Sequence, residues 1–122
     1  MCSSQLWNRI LAIKPVMPKN PGSIWLNNQN INPQKIILFG SYAYGVPEKN
    51  SDIDLLIIKN IPETEVRDLR VKIKKLLWNK FKQQSLSFDV VVDSEQRIRQ
   101  RIRLGDLFYD EIFNNGNVIY AQ

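Results

Sequence analysis

The chain has 122 residues, with 17 basic and 12 acidic side chains that give a formal net charge of +5. This length suits a single domain with a modest core, and the positive charge suits an anionic substrate or partner. The complete absence of histidine excludes a Ser-His-Asp triad, a Cys-His dyad and histidine-based zinc sites.

The cysteine content and the hydropathy pattern predict the cellular location of the protein. Cys2 is the single cysteine, so no disulfide can form within the chain, which is usual in a reducing cytoplasm. No apolar run reaches the length of a membrane span, and no signal-peptide pattern opens the chain. We therefore expect a cytoplasmic protein with no membrane contact.

The first 34 residues are predicted to differ from the rest of the chain. A short amphipathic helix is indicated by the spacing of Leu6, Trp7, Ile10 and Leu11. Three prolines at positions 15, 18 and 21 then interrupt the chain, and residues 23–34 are rich in asparagine. We expect residues 1–34 to form this helix and a Pro/Asn-rich loop or arm, and residues 35–122 to form the main domain.

Two apolar runs surround a polar segment near the centre of the chain. Residues 35–39 predict a buried strand that ends at Gly40, and residues 53–58 predict a second strand, at whose start Asp52 and Asp54 lie. Residues i and i+2 of a strand point to the same face, roughly 6.5–7 Å apart. Asp52 and Asp54 are therefore expected to direct both carboxylates at one spot.

These residue types suit the binding of a nucleotide with magnesium. Carboxylates supply the hard oxygen ligands that magnesium prefers, and two such ions can activate an attacking oxygen and neutralise a leaving one. Gly40 would let the backbone approach a phosphate, while Ser41 offers a hydroxyl and an N–H. Each motif alone is weak, and a polar loop between core strands is the plain alternative. In combination they favour nucleotidyl transfer.

The second half of the chain adds a third acidic residue and two basic stretches. Residues 62–81 predict a crossover helix with one basic face, and residues 87–92 predict a strand that carries Asp89. Asp93 lies on the same face of this strand as Asp89, but it adjoins a helix start and suits a cap or turn.

The arginine-rich segment 97–103 predicts a helix that follows a Ser94 cap. Both basic faces suit either plain solvation or contact with nucleic acid or an acidic partner. The chain then predicts a helix over residues 106–115, a stop at Gly116 and a closing strand over residues 117–120.

A family resemblance rests on the central motif. Gly40-Ser41-x-x-x-Gly45, five further residues and then Ser51-Asp52-Ile53-Asp54-Leu55 resemble the signature of the DNA polymerase beta nucleotidyltransferase superfamily. The small size is similar to that of its minimal nucleotidyltransferase branch. The resemblance implies an α/β fold like the polymerase beta palm, with a mixed sheet of about four strands and helices mainly on one face.

The resemblance also implies roles for individual residues. Gly40 and Ser41 would contact the nucleotide triphosphate, and Asp52 and Asp54 would bind two magnesium ions. A third carboxylate on a later strand would complete the metal site and help to activate the acceptor hydroxyl. We favour Asp89 over Asp93 for this role, because Asp89 matches the hydrophobic-Asp-hydrophobic pattern of the family. Tyr44 stands where many relatives have an arginine that precedes the second glycine of the motif.

Three functions follow as hypotheses. The first is transfer of AMP from ATP, or of NMP from another NTP, to a hydroxyl on a partner protein. The minimal branch implies that this partner is a HEPN-family ribonuclease toxin, with this chain as its antitoxin, and the acceptor pocket could also be shared across a homo-oligomer. The second is a catalytically weak binding module that neutralises a partner by occlusion. The third is nucleotidyl transfer to a small molecule of the aminoglycoside type.

Overall fold

The computed structural model of the chain describes residues 31–45, 52–81 and 87–121. The predicted N-terminal helix, the prolines of residues 15–21 and the loop of residues 46–50 lie outside these ranges. The described strands are β1 (Lys35–Phe39), β2 (Ile53–Ile58), β3 (Phe88–Asp93) and β4 (Asn117–Ala121). The described helices are α1 (Ser41–Tyr44), α2 (Glu63–Phe81), α3 (Glu95–Arg103) and α4 (Leu107–Asn115).

The four strands form one mixed sheet in the order β3-β2-β1-β4. β1 pairs antiparallel with β2 on one side and with β4 on the other, whereas β2 and β3 are parallel. Two parallel neighbours need a long crossover connection, and α2 lies within it. The predicted α/β fold, mixed four-stranded sheet and crossover helix are confirmed.

The sheet is covered on both faces, so the helices are divided more evenly than the sequence predicted. On one face, Leu55 and Ile57 belong to a buried cluster with Ile73 and Leu77 of α2. On the other face a second cluster joins the sheet to α3 and α4, and its buried members are Ile37, Phe39, Leu56, Ile58, Ile98, Tyr109 and Ile112. β1 and β2 contain runs of consecutive apolar residues, so both of their faces are apolar. Such strands are stable only when both faces of the sheet are covered by other elements.

Side-chain caps fix the starts of the two C-terminal helices. The Ser94 hydroxyl accepts a hydrogen bond from the Arg97 N–H, as the sequence predicted, and Asp106 accepts one from the Tyr109 N–H in the same way. Gly116 ends α4 with its N–H bonded to the Ile112 carbonyl. Of the helices in the described ranges, none is both long and apolar enough to cross a membrane.

Candidate active site

Gly40 and Asp54 meet where β1 ends and β2 begins. Phe39 is the register partner of Asp54, so the chain leaves β1 directly beside the Asp54 side chain. Gly40 has a φ of 74°, which L side chains rarely adopt. A Cβ atom at position 40 would also overlap the Asp54 carboxylate, with Cγ only 2.9 Å away. Both backbone conformation and space therefore require glycine here.

Asp89 lies beside Asp54 on the neighbouring strand. The parallel register pairs Asp54 with Asp89, followed by Leu55 with Val90 and Leu56 with Val91. Residues in register on adjacent strands point to the same face, with the strands about 4.8 Å apart. Asp52 comes directly before β2 and is exposed. The structure thus brings the three predicted acidic residues to one end of the sheet.

These carboxylates repel one another. The pKa of Asp54 is raised to about 6, first by burial, then by the charge of Asp89 and then by the charge of Asp52. Among the described residues, no lysine or arginine forms an ion pair with any of the three. The site therefore carries an excess of negative charge that a bound cation would relieve.

Asp93 shares the face of Asp89 but lies at the other end of β3 and is satisfied by neighbours. Its Oδ1 accepts hydrogen bonds from the Ser94 N–H at 2.9 Å and from Arg97 Nε at 2.6 Å. Its Oδ2 accepts one from the Tyr109 hydroxyl at 3.1 Å. Burial, followed by the charge of Asp93, raises the pKa of Tyr109 to about 12. Asp93 thus anchors the start of α3, whereas Asp89 has no such contacts within the described ranges.

The single turn of α1 holds the Gly-Ser segment in place, which the sequence did not predict. The Gly40 carbonyl accepts hydrogen bonds from the N–H groups of Ala43 and Tyr44, each at 3.0 Å. Tyr42 is 2% exposed, and its pKa is raised by burial and then by the charge of Asp52. Tyr42 therefore anchors α1 in the core, while Tyr44 is 40% exposed and lies on the surface of the turn.

The donor set fits a hard divalent cation that also binds a phosphate. Aspartate oxygens are the ligands that magnesium prefers, and magnesium commonly takes one or two carboxylates together with substrate phosphates and water. Within the described residues, no group of three acidic, histidine or cysteine side chains is arranged to hold a metal ion by itself. Phosphate oxygens and water would therefore complete the coordination.

The raised pKa of Asp54 generates a prediction about stability. Because the folded-state pKa of about 6 exceeds the ordinary value of 3.8, ionisation of Asp54 destabilises the fold as the pH rises through that window. Asp54→Asn should then stabilise the metal-free protein at pH 7.5 by about 1 kcal/mol, after allowance for solvent screening of a partly exposed carboxylate. The gain should vanish below about pH 4. Urea denaturation in the presence of a chelator measures the free energy of unfolding of both proteins at each pH.

Asp68→Asn is the matched control, since Asp68 is an exposed residue of α2. It should change the free energy of unfolding by less than about 0.5 kcal/mol. A loss of stability in Asp54→Asn at pH 7.5 would show that the ionised carboxylate has a stabilising partner, contrary to this account of the site.

Comparisons with known proteins agree with the geometry. A family model described as a nucleotidyltransferase domain matches residues 24–118. A protein of Methanocaldococcus jannaschii named as a protein adenylyltransferase is 34% identical over 87 residues, which cover 71% of this chain and 78% of that protein.

A solved structure described as a toxin-antitoxin with AMP-PNP matches with a TM-score of 0.47 and 18% identity, over 84% of this chain and 74% of that one. The family assignment rests on the other two matches, which confirm the resemblance found in the sequence. The chain belongs to the nucleotidyltransferase domain family.

Proposed function

We propose that this nucleotidyltransferase moves AMP from ATP to a hydroxyl group on a partner protein and releases pyrophosphate. The register of Asp54 with Asp89, next to Gly40, is the observation that carries the proposal. A purely structural sheet end gains nothing from a carboxylate whose pKa is raised first by burial and then by repulsion from neighbouring carboxylates. The protein acceptor is supported by the name of the relative from M. jannaschii, a protein adenylyltransferase.

Each site residue has a role in this proposal. Gly40 and Ser41 hold the triphosphate, since Gly40 has no side chain in the way and Ser41 offers a hydroxyl and an N–H. Asp52, Asp54 and Asp89 would hold two magnesium ions. When bound, magnesium supplies charge that offsets the negative charge of the phosphates and polarises the reacting oxygens.

The chemistry is an in-line displacement at phosphorus. A bond forms between the acceptor hydroxyl oxygen and the α-phosphorus, the bond from that phosphorus to the bridging oxygen breaks, and pyrophosphate leaves. Asp89 takes the hydroxyl proton in this scheme, because it is exposed at the sheet end and has no arginine, lysine or tyrosine partner within the described ranges. Asp54 lies against Gly40 and stays closer to the triphosphate.

The proposal also specifies the kind of partner protein that accepts AMP. The sequence resemblance to the minimal nucleotidyltransferase branch supports a HEPN-family ribonuclease toxin as the acceptor, with this chain as its antitoxin. Modification of a hydroxyl by AMP adds a bulky anionic group to the target. Such a group can block an RNA-binding surface by charge repulsion and by size.

Labelling with α-phosphate-labelled ATP and magnesium, in a lysate of the source cell, tests the proposal. The wild-type chain should transfer label to one protein band. Asp52→Asn and Asp89→Asn should each lower the labelling by on the order of 100-fold, since each removes a charged group that acts at the reacting phosphate. Asp93→Asn should keep the wild-type rate per folded molecule, because Asp93 serves the start of α3.

The outcomes separate the alternatives. Equal labelling by wild type and Asp52→Asn would contradict the proposed mechanism. Absence of label, together with a tight protein complex that needs neither magnesium nor Asp89, would indicate the occlusion module. Label that appears only on an added aminoglycoside would replace the protein acceptor with a small molecule.

The close approach of Gly40 to Asp54 generates a second prediction. Gly40→Ala should lower the transfer rate by roughly 100-fold, because the new methyl group displaces the Asp54 carboxylate from the site. Single-turnover labelling measures the rate, and circular dichroism checks the fold.

Gly105→Ala is the matched control. Gly105 also has a positive φ, of 97°, but nothing lies within 4 Å of a Cβ atom at that position. Both variants place a side chain at a positive φ, so a similar loss of activity in Gly105→Ala would show that the displacement of Asp54 is not the cause of the effect.

A further inference from the structure

A pocket with four arginines lies away from Asp52, Asp54 and Asp89, at the end of β3 where Asp93 is found. It has a volume of about 470 Å³ and is formed between α2 and α3. Its charged lining residues are Arg67, Arg70, Arg97, Arg101, Glu63 and Asp93. Asp93 is four residues beyond Asp89 on an extended strand, which separates the two positions by about 13 Å. The pocket is therefore distinct from the candidate active site.

The two arginines from α2 are available to a ligand. Arg67 and Arg70 are exposed, and neither forms an ion pair or hydrogen bond with any part of the chain that the structure describes. Unpaired guanidinium groups on one helix, one turn apart, repel one another. An anion between them would remove that repulsion, and the planar guanidinium fork matches phosphate oxygens well.

On the α3 side of the pocket, each arginine forms an ion pair with an aspartate. Arg97 Nε donates to Asp93 Oδ1 at 2.6 Å, and Arg101 Nε donates to Asp106 Oδ2 at 2.9 Å. Arg97 Nη2 is buried and has no acceptor among the described residues. Each contact uses the Nε donor of its arginine and holds the guanidinium group beside the pocket, which preorganises this wall for an incoming anion.

An exposed tryptophan lies on α2 outside the pocket. Trp78 is 63% exposed, which is unusual for so large an aromatic side chain. The spacing of Arg67, Lys74 and Trp78 places them on one side of the helix, with Arg67 and Trp78 roughly 16 Å apart along its axis. Phosphate-binding arginines in line with an aromatic platform are typical of surfaces that bind single strands, on which bases stack.

We propose that the pocket between α2 and α3 binds the phosphate groups of a single-stranded nucleic acid, whose bases extend towards Trp78. An acidic peptide would satisfy the arginines but has no bases to stack on Trp78. The row of Arg67, Lys74 and Trp78 therefore favours the nucleic acid. The proposal does not depend on the transfer reaction, since none of these residues belongs to the candidate active site.

Fluorescence anisotropy with a short labelled single-stranded RNA of mixed sequence tests the proposal. Arg67→Ala/Arg70→Ala should weaken binding by roughly tenfold. The negative slope of the logarithm of the binding constant against the logarithm of the salt concentration should become less steep by about 1.4, as expected for two lost phosphate contacts. Trp78→Ala should also weaken binding by roughly tenfold, with the salt slope unchanged, because stacking carries no charge.

Arg99→Ala/Arg103→Ala is the matched control, because it removes the same charge from exposed positions of α3 that do not line the pocket. It should weaken binding by less than about threefold. An equal loss in the control would overturn the proposal in favour of a diffuse basic surface. Absence of RNA binding, or equally strong competition by polyglutamate or inorganic tripolyphosphate, would also overturn it.

Discussion

The parallel, in-register pairing of β2 with β3 is the constraint on which the rest of the structure depends. It requires a crossover between the two strands, and α2 in that crossover covers one face of the sheet with Ile73 and Leu77. The same register brings Asp54 next to Asp89 at one end of the sheet and leaves Asp93 at the other. A shift of β3 by one residue would turn Asp89 towards the α2 side, because side chains alternate along a strand. Core packing and site geometry are therefore fixed together.

At the acidic end of the sheet, the charges of neighbouring carboxylates oppose the stability of the fold. Burial and two neighbouring carboxylates raise the pKa of Asp54 to about 6, and the described residues provide no cationic partner. At the other end, Asp93 is satisfied by Arg97 and Tyr109. The two ends thus place the same residue type in different surroundings, since one carboxylate fixes a helix and the others have no cationic partner among the described residues. In a family of nucleotidyltransferases, the open set is the one that suits a nucleotide with its metal.

The strands, the three longer helices and the Ser94 cap could be predicted from the sequence because each has a strong local pattern. The apolar runs at residues 36–39 and 55–58 indicate buried strands directly. They also imply cover on both faces, a consequence that was missed when the helices were expected mainly on one face. The turn of α1, the burial of Tyr42 and the contact of Gly40 with Asp54 were not predictable, since they depend on how β1 leaves the sheet. The hydrogen bond from Arg97 to Asp93 was not predictable either, because it depends on how α3 is placed after the end of β3.

Paramagnetic broadening by manganese, in the presence of a non-hydrolysable ATP analogue, tests the central claim most directly. The claim is that Asp52, Asp54 and Asp89 together form the metal and nucleotide site. If so, substoichiometric manganese should selectively broaden the backbone amide signals of Gly40, Asp54 and Asp89 in NMR spectra, and Asp54→Asn should abolish the effect. The signals of Glu63 and Arg97 should stay sharp. Broadening centred on those residues, or unchanged broadening in Asp54→Asn, would contradict the account.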